Sequence, residues 1–303
     1  MTRRHFLQAA GVATGAYLVG RGGWFLRGEK YDLHLTEWEV PVARLPRELD
    51  GLRILHFTDL HLTAAVSRRY LHEALAAMQR YPVDVICFTG DLLSTIPKFL
   101  RHFAPDLAAL HAPRGKYAVL GNHDFFHGRR DAVVRTLQET GWEVLRNRSL
   151  LLPDSDGQVW VVGIDDPVTG REDVPQALEG VPSAVCRLGL GHTPDLVSRL
   201  SAGDMDLYLC GHTHGGQVVL PLVGPPVVNS QLGAHYAWGL FNYQGTMLQV
   251  SRGVGIVQPY YRLNCPPEIV ISTLRAVDGA LPTAGFRPRI QRLWPVWNSW
   301  RKN

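Results

Sequence analysis

Leu52-Arg53-Ile54-Leu55-His56-Phe57 runs straight into Thr58-Asp59-Leu60-His61, an apolar stretch of strand length that stops at a carboxylate and an imidazole two positions apart. A short apolar run bounded in this way reads as a buried strand. Working outward, Val83-Asp84-Val85-Ile86-Cys87-Phe88 ends at Gly90-Asp91, and Lys116-Tyr117-Ala118-Val119-Leu120 ends at Gly121-Asn122-His123-Asp124. Between these runs, residues 67–80 carry Leu71, Leu75 and Met78 at helical spacing, and a second helix is expected over 97–111. The repeating β-α-β layout predicts an α/β fold whose strands deliver polar side chains at their C-terminal ends, where open α/β sheets place their sites.

Residues 31–42 alternate apolar and polar positions and read as a half-exposed strand. In the second half, 159–163, 187–191 and 207–210 read as buried strands, while 217–220, 245–250 and 268–274 read as sheet at the periphery or in a second layer. There is no short-period repeat and no low-complexity segment. Glycine (30) and proline (20) are spread through the connections. One catalytic domain over 31–275 is therefore expected, and a chain of 303 residues with 46% hydrophobic content has ample material for its core.

The net charge of +4 is unevenly placed. Residues 1–30 hold five Lys/Arg against Glu29, residues 275–303 hold six against Asp278, and the stretch between them carries a net charge of −5. A basic nucleic-acid footprint belongs on the folded domain, so nucleic-acid binding is not expected. The four cysteines (Cys87, Cys186, Cys210, Cys265) form no CxxC pair and are expected to be buried thiols, not disulfides or a zinc ribbon.

Thr2-Arg3-Arg4-His5-Phe6-Leu7-Gln8 followed by the uncharged Ala9–Gly20 looks like a twin-arginine export signal. The apolar run is shorter than the roughly 20 residues that span a bilayer. No A-x-A cleavage site is evident, so residues 1–30 are expected to act as a signal or an uncleaved anchor. The tail, 276–303, mixes Trp294, Trp297 and Trp300 with Arg292, Arg301 and Lys302, which suits a membrane interface or packing on the domain.

Five segments carry the chemistry: Asp59-Leu60-His61, Gly90-Asp91, Gly121-Asn122-His123-Asp124, Gly191-His192-Thr193-Pro194 and Gly211-His212-Thr213-His214. Singly each is weak, since Asp-x-His and Gly-Asp are common. Together they offer carboxylate, carboxamide and imidazole after apolar runs, and in this order the chain resembles the calcineurin-like metallophosphoesterase superfamily (D-x-H, G-D, G-N-H-D/E, H, G-H-x-H). Within it the chain is similar to the bacterial exported group with a twin-arginine leader, through Phe57–His61, Cys210–Gln217 and Cys265-Pro266-Pro267-Glu268-Ile269.

The resemblance covers residues 31–275 and implies a four-layer α/β/β/α sandwich of two mixed sheets, with the site where the strand ends of both sheets meet. It implies two divalent metal ions bridged by Asp91, one completed by Asp59, His61 and His214 and the other by Asn122, His192 and His212. Mixed nitrogen and oxygen ligation favours Mn, Fe or Zn over Mg or Ca. His123 is the implied general acid or hydrogen-bond donor to the leaving group, oriented by Asp124. The expected reaction is in-line attack on phosphorus by a hydroxide bridging the metals.

The expected substrate is a phosphodiester or pyrophosphate of an envelope lipid or cell-wall component. The alternative is a broad-specificity phosphomonoesterase or a cyclic-nucleotide phosphodiesterase. The expected partners are the twin-arginine translocation machinery and a membrane surface. The protein is expected to be a monomer in the periplasm or on the outer face of the cytoplasmic membrane.

A scaffold on the same fold would lack a ligand, and an amidase or lactamase would show a His-x-His-x-Asp-His run, which is absent here. Asp165-Asp166 either reaches the rim of the site or caps a turn. Phe125 and His127 are candidates to line the substrate pocket, and Arg252 and Arg262 to contact its phosphate. Ile256–Tyr261 departs from the Leu/Pro-rich turn of the family.

Overall fold

The computed structural model describes residues 29–95 and 97–293; the leader reading of residues 1–28 and the Trp294, Trp297 and Trp300 part of the tail lie outside the described residues, as does the side chain of His127. The first sheet takes β1 (His34–Val42), β2 (Arg53–Phe57), β3 (Val85–Phe88), β4 (Lys116–Ala118) and β5 (Glu143–Val144). The chain then builds a second sheet from β6 (Arg148–Leu151), β7 (Val159–Gly163), β8 (Cys186–Leu190), β9 (Leu207–Cys210), β10 (Gly239–Tyr243) and β11 (Thr246–Val250), and returns to the first with β12 (Glu268–Ala276) and β13 (Arg289–Arg292). The strand orders are β13-β1-β12-β2-β3-β4-β5 and β10-β11-β9-β8-β7-β6. Both sheets are mixed: β2, β3, β4 and β5 are parallel, as are β7, β8, β9 and β11, with antiparallel β12 on β2 and antiparallel strands at the edges.

Strand alternation divides the core. Leu55, Phe57, Ile86, Phe88, Ile269 and Ile271 face three helices, α1 (Arg68–Met78), α2 (Leu100–Ala109) and α3 (Arg130–Glu139). On α1, Ser67 caps the first turn by accepting the Tyr70 N–H, and Tyr70, Leu71, Ala74, Leu75 and Met78 form the buried stripe. The opposite face of the first sheet, with Ile54, Val85, Cys87 and Val270, meets Val159, Val161, Leu188, Leu190, Leu207 and Leu209 of the second. The far face of the second sheet, with Val162, Tyr208, Cys210, Leu248 and Val250, is covered by the short turns Val174–Ala177 and Pro194–Arg199. The result is the expected α/β/β/α order, with an outer layer of single turns on one side.

Three expectations are corrected. Residues 217–220 form no strand: Val218 bridges Leu263 and Leu220 bridges Gly224, and Pro221, Pro225 and Pro226, lacking N–H groups, cannot extend a ladder. Residues 268–274 are central, not peripheral, because β12 lies between β1 and β2. Part of the segment read as a tail is sheet, since β13 pairs with β1 along His34–Glu37.

Candidate metal centre

Every singled-out motif sits just beyond the C-terminal end of a strand. β2 delivers Asp59 and His61, β3 Asp91, and β4 Asn122 and His123, while β8 delivers His192 and β9 delivers His212 and His214. The two sheets thus aim their strand ends at one place. The backbone there is strained. Asp59, His61, Asp91, His212 and His214 all have positive φ, between 46° and 69°, a region that side-chain-bearing residues seldom occupy. Backbone bonds hold it: Asp59 N–H to Gly90 O at 2.9 Å, His61 N–H to Asp91 O at 3.0 Å, and Gly211 N–H to His192 O at 2.8 Å. The glycines of the motifs make room for the carboxylates. A Cβ on Gly121 would lie 2.2 Å from Asp91 Oδ1, and one on Gly211 would lie 2.3 Å from Asp59 Oδ2.

Six of the seven side chains converge as two clusters linked by Asp91, and Asn122 stands on the turn that carries His123. In one, Asp59 Oδ1 lies 3.4 Å from both His61 Nε2 and His214 Nε2, and those two nitrogens face each other at 3.0 Å. In the other, His192 Nε2 lies 3.2 Å from Asp91 Oδ2 and 3.2 Å from His212 Nδ1. Asp91 Oδ2 is also 3.5 Å from His61 Nε2, so one oxygen faces imidazoles of both clusters. The other oxygen, Oδ1, accepts the His123 N–H at 2.8 Å.

The residues fit divalent cations on two grounds. Asp59 Oδ1 and Asn122 Oδ1 are buried without a hydrogen-bond partner, which is costly unless a ligand takes their lone pairs. The imidazoles are also turned for coordination. His192 Nδ1 donates to Thr89 O at 2.8 Å and His61 Nδ1 meets Ser94 Oγ, which leaves each Nε2 pointing inward. Ser94 and the Thr89 carbonyl carried no signal in the sequence, because a second-layer partner is defined only by the fold.

Electrostatics agree. Burial works to raise the Asp59 carboxyl, yet His214, His61 and His192 hold it well below the usual range, and burial presses His214 down. Burial opposes protonation of His192 as well, but the Asp91 and Asp59 carboxylates raise it well above its ordinary value, so cation binding there displaces protons.

His123 is half-buried, its ring edge-on to His61 with centroids 5.0 Å apart and against Phe126 at 5.5 Å. Burial lowers its pKa. The expected role of Asp124 is overturned. Its Oδ1 accepts the Leu93 N–H and its Oδ2 the Gly121 N–H, both at 3.0 Å, so it clamps the turn Asn122–Phe125 to the loop after β3 and does not orient the His123 ring.

Arg252 and Arg262 are also not substrate contacts. Arg252 pairs with Glu268 at 2.8 Å, and the fully buried Arg262 donates to Arg252 O, Gly253 O and Gly255 O. Together they fix a loop whose Gly255 N–H donates to Asp59 O at 2.7 Å. Asp165 and Asp166 part company: Asp165 pairs with Arg146 at 2.9 Å, whereas Asp166 is buried with neither oxygen partnered. Phe125 lies under the guanidinium groups of Arg146 and Arg171, at 5.8 and 5.3 Å.

Residues 52–216 match the family model described as Calcineurin-like phosphoesterase. The chain belongs to the calcineurin-like phosphoesterases. It is 31% identical over 285 residues to the uncharacterized metallophosphoesterase YkuE of Bacillus subtilis, covering 92% of this chain and 99% of that one. It is 31% identical over 287 residues to the phosphodiesterase YaeI of Escherichia coli, covering 90% and 99%. To the UDP-2,3-diacylglucosamine pyrophosphatase LpxG of Chlamydia trachomatis it is 26% identical over 292 residues, covering 77% and 86%. As a calcineurin-like phosphoesterase the protein is a metal-dependent hydrolase of phosphate esters. The matched span contains all seven expected ligands and His123, and it stops before the strands and loops that follow residue 216.

Proposed function

We propose that the chain binds two divalent ions, Mn, Fe or Zn, and hydrolyses a phosphodiester or pyrophosphate of an envelope lipid or cell-wall component outside the cytoplasm. The observation that carries the two-ion reading is Asp91 Oδ2, which faces His61 and His192 from opposite clusters while Asp59 Oδ1 and Asn122 Oδ1 are left without partners. Asp59, His61 and His214 would hold one ion and Asn122, His192 and His212 the other, with Asp91 common to both.

When bound, such ions polarise phosphoryl oxygens and make water a nucleophile near neutral pH. The chain's own residues do the rest. The strained loops fix the donor atoms before substrate arrives, which spares reorganisation during reaction. His123, half-buried at the edge of the centre, holds the proton that the departing oxygen needs. The relatives named as a phosphodiesterase and as a UDP-2,3-diacylglucosamine pyrophosphatase support the substrate class. The twin-arginine leader supports export, and replacement of Arg3 and Arg4 with Lys should abolish it in a cell-fractionation assay.

Mn-loaded protein should turn over bis-p-nitrophenyl phosphate faster than p-nitrophenyl phosphate. A preference for the monoester would overturn the diester reading. His123→Ala should lower kcat by about 100-fold or more while leaving the metal content unchanged.

A further inference from the structure

The loop Val218-Val219-Leu220-Pro221-Leu222-Val223-Gly224-Pro225-Pro226-Val227-Val228 stands beside the centre and belongs to no sheet. From Gly215 to Ala234 the chain has no charged residue. The loop is nevertheless built: Val219 N–H donates to Leu263 O at 2.8 Å, Asn264 Nδ2 donates to Val219 O at 2.9 Å, and Leu220 and Gly224 exchange bonds at 3.0 and 2.9 Å. That tight turn lifts Leu222 to a fully exposed tip at φ 65°, with Val223 75% and Val227 69% exposed. Five of the nine exposed large apolar side chains among the described residues (Leu220, Leu222, Val223, Val227 and Tyr260) lie on this one rim. A patch of that kind marks a docking surface.

Behind the rim is a cavity of about 260 Å³ that runs inward to Thr213 and His214, between Val218, Val227, Val257 and Pro259. Its far wall is pinned by Gln217, whose amide donates to Val257 O and Pro259 O and accepts the Val257 N–H. The chain also enters the fold on this side. Glu29 accepts the Cys265 N–H at 2.8 Å and Lys30 Nζ donates to Tyr260 O, so the first described residues, which follow Trp24-Phe25-Leu26 closely in the sequence, lie beside the same rim.

We infer that the 218–228 loop docks on a lipid bilayer and that the cavity behind it receives the hydrocarbon chain next to the phosphoester of a lipid substrate. The occupant is lipid and not a protein partner because the loop itself is without charge, with Lys30 as a cation at its edge, and because Trp24-Phe25-Leu26, an apolar stretch between Arg21 and Arg27, closely precedes Glu29 in the sequence. The cavity half of the inference rests on the phosphoester-hydrolase reading; the docking half does not.

All four native cysteines are buried, so Leu222→Cys in the full-length protein can be labelled selectively with an environment-sensitive fluorophore. Phosphatidylcholine vesicles should shift its emission to the blue and raise its intensity severalfold. Tethering by the leader alone leaves the label in water, so an unmoved label at saturating lipid overturns the docking. A shift that grows with protein concentration in the absence of vesicles also overturns it, in favour of a second copy of the chain. For the cavity, p-nitrophenyl alkyl phosphodiesters should show KM falling by about threefold to fourfold per methylene that enters, at unchanged kcat. A KM indifferent to chain length from ethyl to octyl overturns the cavity's role. Absence of turnover for every ester, with the label still responding, would sink the hydrolase reading together with the cavity half and leave the docking standing.

Discussion

Two buried carboxylates share the loop Ser251–Gly255 and are treated in opposite ways. Glu268, whose N–H donates to Gly253 O, is saturated: Thr36 Oγ1 and Arg252 Nη2 donate to Oε2 at 2.6 and 2.8 Å, and Trp238 Nε1 and the Arg252 N–H donate to Oε1, each at 2.8 Å. Asp59, so near Gly253 that a Cβ there would lie 2.7 Å from its own Cβ, has Thr58 Oγ1 and the His212 N–H on Oδ2 and no hydrogen bond on Oδ1. A buried carboxylate with every lone pair occupied by protein is part of the scaffold. One whose free oxygen is aimed at imidazole nitrogens is reserved for something that is not protein.

The sharpest way to break that comparison is Asp91→Asn, which keeps an acceptor for the His123 N–H but removes the charge common to both clusters. It should lower kcat/KM by more than about a thousandfold, beyond the 10- to 100-fold typical of outer partners, and elemental analysis should find at least one ion missing. The metal-free protein should lose less stability than Glu268→Ala does, because His192 can shed the proton that Asp91 holds on it whereas Arg252 keeps its charge. Glu268→Ala should do the reverse. With Arg252 left buried and unpaired and the partly buried Trp238 indole without its acceptor, urea unfolding should show a loss of about 3–5 kcal/mol. A metal-free Asp91→Asn protein as unstable as Glu268→Ala would erase the distinction between the two sites.

The centre was legible in sequence because each of its residues follows a short apolar run, and parallel strands bring such positions together at one sheet end. Asp59, His61, Asp91, His192, His212 and His214 converge for that reason, and Asn122 stands beside His123 with its Oδ1 buried and unpartnered. What stayed hidden depends on pairing and on backbone partners. Nothing local in Glu268–Ala276 says that it inserts between β1 and β2, because burial on both faces reads alike in a second layer and at a sheet centre. Every residue of Arg289–Arg292 is exposed and the stretch has no apolar period, so only its register on β1 makes it a strand. Asp124 beside His123 suggested an acid-imidazole pair, but the third position of a helical turn points a carboxylate back at the N-terminal amides, and Gly121 claimed it. Arg252 and Arg262 looked like phosphate ligands by type, yet both are consumed in fixing a loop.

His56 sharpens the scaffold side. The Gln249 amide donates to Nδ1 at 3.0 Å, so Nε2 carries the proton and donates to Thr89 Oγ1 at 2.8 Å, and the ring is neutral. Burial presses its pKa down from 6.5 to about 4. The folded state therefore refuses a proton that the unfolded chain accepts, so stability is lost as pH falls from about 6.5 to about 4. The size is about 3 kcal/mol. His56→Gln should remove that slope, and urea titrations at pH 7 and pH 4.5 should show wild type losing more than the variant. Equal losses would mean the ring is protonated inside the fold.

Asp166 sets the opposite slope, with the smallest effect. It lies three residues beyond β7, and the intervening Ile164 N–H donates to Leu190 O, so it sits level with the turn that carries His192, buried and with both oxygens unpartnered. Burial raises its carboxyl from 3.8 to about 6. Here the folded state favours the proton, so the stabilisation is complete below pH 3.8 and disappears as pH rises through about 6. Asp166→Asn, which stays neutral, should therefore make the metal-free protein more stable than wild type by on the order of 2 kcal/mol at pH 7.5, and no more stable at pH 4. Cations bound beside His192 would attract the wild-type carboxylate, so adding Mn²⁺ should narrow the difference at pH 7.5. A difference unchanged by Mn²⁺ would place Asp166 outside the reach of the centre and group it with Glu268 as scaffold, whereas a narrowed one makes it an outer carboxylate of the metal site, held ionised by what the site binds.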